Sequence, residues 1–553
     1  MLTYASRAIL AMATAILALA AAAISLAGTA GAEASEPAIQ DKAVRATARR
    51  RYEPTWESLA KHGAAPKWYE DAVFGIYFHW GVYSVPGFGG EKYPRDMYRA
   101  NSGTHKHHCG KYGDPTEFGY HDFIPMFRAR RWDPDRWAKI FKNAGADFAG
   151  PIAEHHDGFA MWDTAHDPYN AMDMGPRRDI VGQMIRAVRK QSMKVVVTFH
   201  HMRWDYYDAG RTLCPKGVGV NDPKLSGLYG RAVEAGTPQA GSWLKKGRIV
   251  RPEHQDGNPV FDGHREEGFR KILEVIDKYQ PDQLQSDGLT LVRLGQDRVR
   301  KIMAHHFNAA ERSGREALIS RGYDSHHPYV PSEMWGKEVM VSRIIPLSCS
   351  VQNIERRFPK ITLRSPCPNL WQATTPVPGF SYSYVASQEK KTPAEIDRSV
   401  NALVDGMVSV TCTNGVTLLS VAPKPDGTLP EAQVQVLNKL GGWMRMNKES
   451  LHGAKCRIPC RAGSLRFTQR GRCLYAIDLE RPTAPTVIPG VTPAAGSAIR
   501  MLGSDKQLTW RQNGASVVIH ELPDPLPCAY AWVFKVRLGG VSQPDSPVDG
   551  QAK

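Results

Sequence analysis

The sequence predicts an α/β fold in which a (β/α)8-like TIM barrel is followed by a C-terminal antiparallel β-sandwich. Four apolar runs are continuous, as buried parallel strands are, and each ends in a group of polar side chains. Amphipathic segments with helical spacing lie between these runs. From about residue 450 onward, short strands with turn residues between them replace this pattern.

The four apolar runs are predicted to be barrel strands. They are residues 74–78 before His79-Trp80, 148–153 before the polar group 154–159, 195–199 before His200-His201, and 279–284 before Asp287-Gly288. In a βα-barrel, the loops that leave the carboxyl ends of the strands build the active site. Histidine, tryptophan and carboxylate residues at four such ends therefore predict one pocket on an enzyme.

The segment after Asp133 is predicted to be one of the barrel helices. Asp133 is a good N-cap, Pro134 suits the first helical position, and Gly145 supplies the stop. The same spacing of apolar residues recurs after Asp179 and over residues 269–276. Repeated βα units predict a parallel sheet, and the chain length favours a closed barrel. None of these predicted helices begins with the glycine-rich sequence motif of dinucleotide-binding folds.

The predicted pattern of strands and helices changes in the later part of the chain. A strand over 416–421 precedes a predicted helix over 431–440, which is expected to end at Gly441-Gly442. The short strands predicted for the sandwich are 465–467, 473–478, 507–510, 516–520 and 530–536.

The predicted order of segments begins with a signal peptide over residues 1–32. Arg7 precedes an uncharged run rich in alanine, leucine and isoleucine, and residues 30–32 fit a cleavage site. An uncleaved membrane anchor is the alternative, because the run approaches spanning length. The mature protein is predicted to be periplasmic or secreted, with no stable membrane span. The other predicted segments are a flexible lead-in over 33–66, the barrel over 67–445, the β-sandwich over 446–540 and a disordered tail over 541–553.

The net charge of +16 at pH 7 raises the question of a polyanionic partner. The basic residues are scattered among acidic ones, and the short basic clusters at 49–51, 128–131 and 245–248 lie far apart. A nucleic-acid partner is therefore not expected. Two interpretations stay open: a solvated basic surface, and attraction to a sulfated or acidic polysaccharide.

Cysteine and histidine residues of the chain are also candidate metal ligands. An exported chain with nine cysteines is expected to pair some of them, chiefly among Cys456, Cys460, Cys473 and Cys528. No second cysteine pair or histidine at zinc-binding spacing accompanies Cys456 and Cys460. Adjacent histidines on a strand point to opposite faces, so 155–156 would not easily share one ion. Neither a metal ion nor a cofactor is predicted.

Imidazole beside indole recurs at three of the strand ends. Carbohydrate sites need this mixture, because a sugar presents polar edges and apolar faces. The residues predicted on this basis to bind substrate are His79, Trp80, His155, His156, Trp162, His200 and Trp204. Asp287 shares their end of the barrel and is either a turn residue or a carboxylate nucleophile. A retaining glycosidase pairs such a nucleophile with a second carboxyl about 5–5.5 Å away.

The string Phe-Gly-Ile-Tyr-Phe-His-Trp-Gly-Val-Tyr-Ser-Val-Pro at 74–86 resembles the N-terminal signature of the α-L-fucosidases of glycoside hydrolase family 29. Further blocks are similar in the same order, at 91–98, 155–159, 178–181, 279–282, 287–288, 353–356 and 371–375 with Tyr382 and Tyr384. The resemblance implies a retaining enzyme that removes terminal α-L-fucose from an oligosaccharide or polysaccharide. It also implies that Asp287 is the nucleophile and that His79, Glu91, His155, His156, His200 and Trp204 hold the fucose.

The acid/base varies in position within that family, so its assignment stays open. Glu355, which lies in a family-like block, is the first candidate, followed by Glu333 and Glu338. Where some members carry Trp-Glu, this chain has Trp371-Gln372, and glutamine cannot donate the proton. Two alternatives follow: hydrolysis of a related or sulfated 6-deoxy sugar, and a non-hydrolytic fucose-binding protein.

Overall fold

Eight parallel strands close into a barrel in the computed structural model of the protein. In chain order they are β1 Phe74–Phe78, β2 Phe148–Glu154, β3 Lys194–Phe199, β4 Gln283–Ser286, β5 Leu318–Gly322, β6 Val351–Glu355, β7 Trp371–Pro376 and β8 Gly415–Val421. Each strand pairs in parallel with the next, and β8 pairs with β1 to close the sheet. The predicted barrel is confirmed.

The structure describes residues 51–200, 206–207, 219–230, 259–287, 290–322, 345–355, 358 and 365–539. The predicted signal peptide, most of the lead-in and the C-terminal tail lie outside the described residues. Among the helices of the described part, none combines the length and the apolar character that crossing a membrane requires.

Helices surround the barrel and also occur in the connections between its strands. The α-helices of the described residues are α1 Trp56–Ala60, α2 Lys67–Asp71, α3 Tyr93–Asp96, α4 Gly103–Tyr112, α5 Pro134–Ala144, α6 Ile180–Lys190, α7 Ser226–Tyr229, α8 Pro259–Tyr279, α9 Thr290–Leu294, α10 Gln296–Arg312, α11 Pro393–Thr411 and α12 Glu431–Asn447. Short 3-10 helices occur at Val82–Ser84, Gly90–Lys92, Tyr120–Met126, Pro223–Leu225, Leu347–Cys349, Ala386–Gln388 and Lys448–Ser450.

Helix α5 shows how the sequence sets an element's limits. Asp133 accepts a hydrogen bond from the backbone N–H of Arg136 (3.0 Å), and Pro134 occupies the first turn. Gly145 ends the helix in the left-handed conformation with φ of 97°. Trp137 and Phe141 are buried against the barrel. The predicted cap, apolar face and stop are all confirmed.

Replacing Asp133 with alanine is expected to lower the free energy of unfolding by about 1 kcal/mol, because one N–H of the first turn of α5 loses its acceptor. Chemical denaturation measures this change. Lys139→Ala, at an exposed position on the same helix, is the control and should change stability by less than about 0.5 kcal/mol. Equal effects of the two substitutions would contradict the capping role.

Helix α12 corrects one predicted boundary. It was expected to end at Gly441-Gly442 but continues to Asn447. A Cβ built on Gly441 would lie only 2.2 Å from the carbonyl oxygen of Asn143, at the end of α5. Gly441 is therefore required by the close approach of two helices, and the sequence pattern of a C-terminal stop was misleading here.

Two antiparallel sheets follow the barrel. One has the order β13-β16-β11-β10-β9, from Arg500–Met501, Trp532–Arg537, Cys473–Asp478, Leu465–Arg470 and Lys455–Ala462. The other has the order β12-β15-β14, from Thr486–Pro489, Ser516–Ile519 and Trp510–Asn513. Leu474 and Phe534 of the first sheet share one apolar cluster with Val517 and Ile519 of the second. The predicted C-terminal β-domain is confirmed.

The cysteines differ from expectation. The expected disulfide pairing among Cys456, Cys460, Cys473 and Cys528 is not found in the structure. The Cys456 thiol donates to the carbonyl of Thr411 (3.4 Å), and the Cys528 thiol donates to the carbonyl of Tyr530 (3.0 Å). Their burial in the C-terminal sheets reflects packing, since free cysteine behaves as a small apolar residue.

Candidate active site

The polar groups predicted at the strand ends meet at the carboxyl end of the barrel. His79 follows β1, His155 and His156 follow β2, His200 follows β3, and Asp287 follows β4. Parallel strands in a closed barrel bring their carboxyl ends to one rim. The side chains predicted separately from four runs therefore lie in one place.

Four imidazoles form the floor of this site, and we call His79, His155, His156 and His200 the histidine cluster. Their ring centroids are 4.7 Å apart for His155 with His156 and with His200, and 5.3 Å apart for His200 with His79 and with His156. The Nδ1 atom of His79 is 2.8 Å from the hydroxyl of Ser420 on β8.

Three of these histidines, His79, His155 and His200, are neutral at physiological pH. Burial lowers the pKa of His200 to about 4 and holds the pKa values of His79 and His155 well below the ordinary value for histidine. A neutral imidazole offers one donor and one acceptor. These three rings therefore offer both donors and acceptors, which suits the hydroxyl groups of a sugar.

Asp287 lies against this cluster. Its Oδ2 atom is 3.4 Å from Nε2 of His200 and 3.6 Å from Nε2 of His156. Burial acts to raise the pKa of Asp287, but His200, His156 and a hydrogen bond from Glu355 outweigh burial and hold this pKa below its usual range. Asp287 is thus an ionised carboxylate in a buried site.

Glu355, at the end of β6, is the second carboxyl of the site. Its side chain forms a hydrogen bond with Asp287. Two carboxyl groups share a hydrogen bond only when one of them carries a proton, and Asp287 is the one held ionised. Glu355 is therefore the candidate proton donor of the pair. Glu333, Glu338 and Trp204 lie outside the described residues, so their predicted roles are not addressed by this geometry.

Gln372 lies deeper in the barrel than the two carboxyls. It is fully buried on β7, where its Oε1 accepts hydrogen bonds from Tyr69 (2.6 Å) and Gln283 (2.7 Å) and its Nε2 donates to Gln285 (2.8 Å). In the register of the neighbouring strands β6 and β7, Glu355 lies opposite the residue two positions after Gln372. The glutamine belongs to an amide network beneath the site.

Trp80 and Trp162 differ from their predicted role as sugar platforms. The Trp80 ring packs against Phe127 and Trp137, with centroids 5.2 and 5.1 Å away, and its Nε1 donates to the carbonyl of Lys424 (2.8 Å). Trp162 is fully buried, and its Nε1 donates to Glu274 on α8 (3.0 Å). Adjacent residues of an extended chain point in opposite directions, so Trp80 faces the helices while His79 faces the barrel mouth.

Tyrosines take the place that the tryptophans were expected to fill. Tyr382 lies 4.8 Å from His79, Tyr83 lies 5.0 Å from His155, and Tyr206 lies 5.3 Å from His156, measured between ring centroids. Tyr382 belongs to one of the sequence blocks that resemble the family. This block is the sequence signal from which its place at the site could be inferred. The carboxylate of Glu91 lies close to Tyr206. Burial and the charge of this carboxylate together raise the pKa of Tyr206.

Three imidazoles also have the spacing of a possible metal site. One ring nitrogen from each of His79, His155 and His200 lies within 4.8 Å of the others. These residues come from three strands, so the argument from adjacent histidines does not apply to them. The neutral imidazoles that could hold a metal ion are the same groups that could hold sugar hydroxyls.

Asp157, which follows the cluster, is buried under tyrosines. The hydroxyl of Tyr120 donates to its carboxylate (2.6 Å), and the hydroxyl of Tyr207 donates to its carbonyl oxygen (3.1 Å). Burial, with a smaller contribution from the charge of Glu154, raises the pKa of Asp157 to about 7.

The substitution Asp157→Asn is expected to remove a pH dependence of stability. With its raised pKa, Asp157 keeps a proton in the folded protein at pH values where the unfolded chain has lost it. The stability from this proton is fully present below the unfolded pKa and is lost as the pH rises to about 7. Between pH 5 and pH 8 the wild type should therefore lose about 2 kcal/mol more than the variant. Denaturant titrations at both pH values measure this, and parallel curves would refute it.

Comparisons with known proteins agree with this geometry. The profile of the family described as Alpha-L-fucosidase matches residues 39–449, and that described as Alpha-L-fucosidase C-terminal domain matches residues 460–537. The tissue α-L-fucosidase of Bos taurus is 26% identical over 518 residues, which cover 88% of this chain and 91% of that protein. The α-L-fucosidase of Branchiostoma floridae is 24% identical, with 88% of this chain and 96% of that protein covered.

Solved structures show the same relationship. The crystal structure of the Thermotoga maritima α-fucosidase is similar with a TM-score of 0.64 at 25% identity, and covers 88% of this chain and 100% of that one. The same enzyme in complex with fucose is similar with a TM-score of 0.63. With a family profile matched over most of its length, this chain belongs to the α-L-fucosidase family of glycoside hydrolases.

Proposed function

We propose that the protein is an exported, retaining exo-glycosidase that releases terminal α-L-fucose from glycans. The observation that carries the proposal is the hydrogen-bonded pair of Asp287 and Glu355 beside the histidine cluster. Inverting enzymes keep their carboxyls about 6.5–9.5 Å apart to admit a water molecule, whereas retaining enzymes keep them closer. A pair within hydrogen-bonding contact favours the retaining mechanism.

Two steps follow from this pair. In the first, the ionised Asp287 attacks the anomeric carbon while Glu355 gives its proton to the departing glycosidic oxygen, which leaves a fucosyl ester on Asp287. In the second, Glu355 takes a proton from water, and the resulting hydroxide attacks the same carbon and releases Asp287. Two inversions give net retention of configuration.

The histidine cluster supports binding of the sugar. The neutral rings of His79, His155 and His200 supply donors and acceptors for hydroxyls. Tyr382 and Tyr206 offer apolar faces. The relative from Thermotoga maritima has been solved in complex with fucose, which supports the same sugar class here. In this assignment the imidazoles bind substrate, and activity is expected to persist after treatment with a chelator.

The test of the function is hydrolysis of an aryl α-L-fucoside, followed from the first turnovers by proton NMR. Initial release of α-L-fucose would support the retaining assignment, and initial release of β-L-fucose would overturn it. Binding of fucose without any turnover would support the binding-only alternative instead. Loss of turnover with a chelator, restored by a metal ion, would shift the assignment to a metal-dependent hydrolase.

The substitution Glu355→Gln tests the acid/base. With an unactivated fucoside, whose leaving group needs a proton, kcat/KM is expected to fall about 10²- to 10⁴-fold. With a dinitrophenyl fucoside, whose leaving group departs without a proton, kcat/KM should change little. An equal loss on both substrates would contradict the role of Glu355 and return attention to Glu333 and Glu338.

Export is the remaining part of the proposal. The uncharged run after Arg7 and the small residues at 30–32 support it. The intact mass of protein recovered from the native host tests it, because cleavage before Glu33 removes 32 residues. A full-length mass in a membrane fraction would favour the uncleaved anchor.

A further inference from the structure

A cavity of about 470 Å³ lies between three loops that leave the carboxyl ends of barrel strands. Its wall takes residues of the 121–128 stretch from the loop after β1, residues of the 169–177 stretch from the loop after β2, and Leu225 from the connection between β3 and α8. Such loops form the face of a βα-barrel on which substrates bind. The cavity therefore opens on the face of the histidine cluster without including any member of that cluster.

A short chain of contacts joins the cavity to the active site. His121, in the cavity wall, has its Nδ1 atom 3.0 Å from the hydroxyl of Tyr229. The Tyr229 ring packs on Tyr207, with centroids 4.8 Å apart, and Tyr207 donates to the carbonyl of Asp157. Because Asp157 directly follows His155 and His156, two tyrosines in series connect the cavity wall with the segment that carries these histidines.

The wall of the cavity carries exposed positive charge. Arg128 and Arg177 both line it, and neither guanidinium forms an ion pair with another residue in the described part of the chain. Among the described lining residues, Asp173 is the acidic one, and its carboxylate accepts a hydrogen bond from Asn170 (2.7 Å). The two guanidinium groups are thus available to an anion, which they can bind with paired N–H donors.

Apolar surface lies beside these arginines. Tyr169, Met174 and Leu225 form part of the same wall, and Tyr169 is almost fully buried. Ligand pockets typically have volumes of about 300–1,000 Å³ and combine apolar surface with a few polar groups that orient the ligand. A sugar ring has an apolar face for such a wall, and an anionic substituent on that ring would meet the arginines.

We propose that this cavity binds an anionic sugar residue, bearing a sulfate ester or a carboxylate, that lies beyond the terminal fucose in the glycan. The proposal rests on the proposed function and names the substrate class it acts on. It also gives a specific role to part of the +16 charge, which the sequence alone left between a solvated surface and attraction to an acidic polysaccharide.

The experiment compares kcat/KM for a fucosylated oligosaccharide in sulfated, uronate-containing and neutral forms, together with an aryl α-L-fucoside that does not reach the cavity. The wild type is expected to prefer one anionic form about tenfold, and less at high salt. The double variant Arg128→Gln/Arg177→Gln should lose this preference and keep its activity on the aryl fucoside. Arg130→Gln, at an exposed neighbouring position outside the cavity wall, should keep both.

The outcomes separate this proposal from the proposed function. Equal kcat/KM on anionic and neutral oligosaccharides, with normal turnover of the aryl fucoside, would overturn the cavity proposal alone. A preference that survives in the double variant would also overturn it. Titration with fucose-free sulfated and uronate disaccharides tests the cavity even if no fucoside is hydrolysed: binding that is lost in the double variant supports the proposal, and absence of binding overturns it.

Discussion

Replacing Asp287 with alanine is expected to lower kcat for an aryl α-L-fucoside by about 10³- to 10⁵-fold. The variant keeps Glu355 and the histidine cluster, so it can still bind the sugar and protonate the leaving group. It has no carboxylate to form the fucosyl ester, however, and direct attack by water lacks a positioned nucleophile. Steady-state kinetics of the wild type and the variant measure this loss.

Two further measurements make the prediction specific to a nucleophile. Azide can enter the space vacated by the carboxylate, so it should restore turnover of an activated fucoside in Asp287→Ala and give β-L-fucosyl azide, the product of a single inversion. Asp163→Ala, an exposed carboxylate in the loop after β2, is the matched control and should retain full activity. Substantial residual activity of Asp287→Ala without azide, or an azide product of α configuration, would contradict the assignment.

The location of the site could be predicted from the sequence because its signal is local. Each strand end carries its own polar group, and the barrel rule states that such ends converge. His79, His155 and Asp287 were selected from three separate runs and lie within one cluster in the structure. The prediction needed no knowledge of distances, since the topology of a parallel barrel supplies them.

The direction of a side chain could not be predicted in the same way. Trp80 and Trp162 have the composition of a sugar platform, yet both face the layer between strands and helices. Which way a residue turns just after a strand depends on what the loop packs against, and that is a tertiary property. The tyrosines that do border the site come from distant segments: Tyr382 belongs to a block noted in the sequence, whereas Tyr206 has no such local pattern.

Gln372 shows the same limit for a motif. Its sequence position implied a lost proton donor and motivated the binding-only alternative. Inside the barrel, however, its amide connects Gln283 and Gln285 of β4 with Asn353 of β6, beneath the two carboxyls. The amide suits this position because it donates and accepts at once, whereas a carboxylate would only accept. Glu355, on the adjacent strand, is the candidate proton donor.

Lys271 was not singled out in the sequence, yet its replacement with methionine is expected to lower the free energy of unfolding by about 3–5 kcal/mol. Its ammonium group is completely buried on α8 and contacts Glu154 (2.7 Å), Asp167 (2.7 Å) and Glu267 (2.9 Å). Methionine fills similar space but takes the ammonium away from these carboxylates, of which Glu154 and Asp167 are buried. Denaturant unfolding at pH 7 measures the change.

A matched control separates this effect from the general loss of a lysine. Lys278 lies on the same helix and pairs with Glu274 (3.1 Å), but 38% of its side chain is exposed. Its replacement with methionine should cost less than about 1 kcal/mol, because solvent can take the place of the ammonium. Equal costs at the two positions would contradict the argument that burial makes the Lys271 network important.

The Lys271 network also bears on activity, because Glu154 is the residue immediately before His155, and its carbonyl accepts a hydrogen bond from the N–H of His200 (2.9 Å). A shift of Glu154 would therefore displace two histidines of the cluster. Adding Glu154→Gln to Lys271→Met removes one of the charges that faced the ammonium, so the double variant should regain at least about 1 kcal/mol relative to the sum of the two single changes. Its kcat/KM should rise with that recovery if the lysine acts through the position of Glu154. Strict additivity in both stability and kcat/KM would mean that Lys271 and Glu154 act independently.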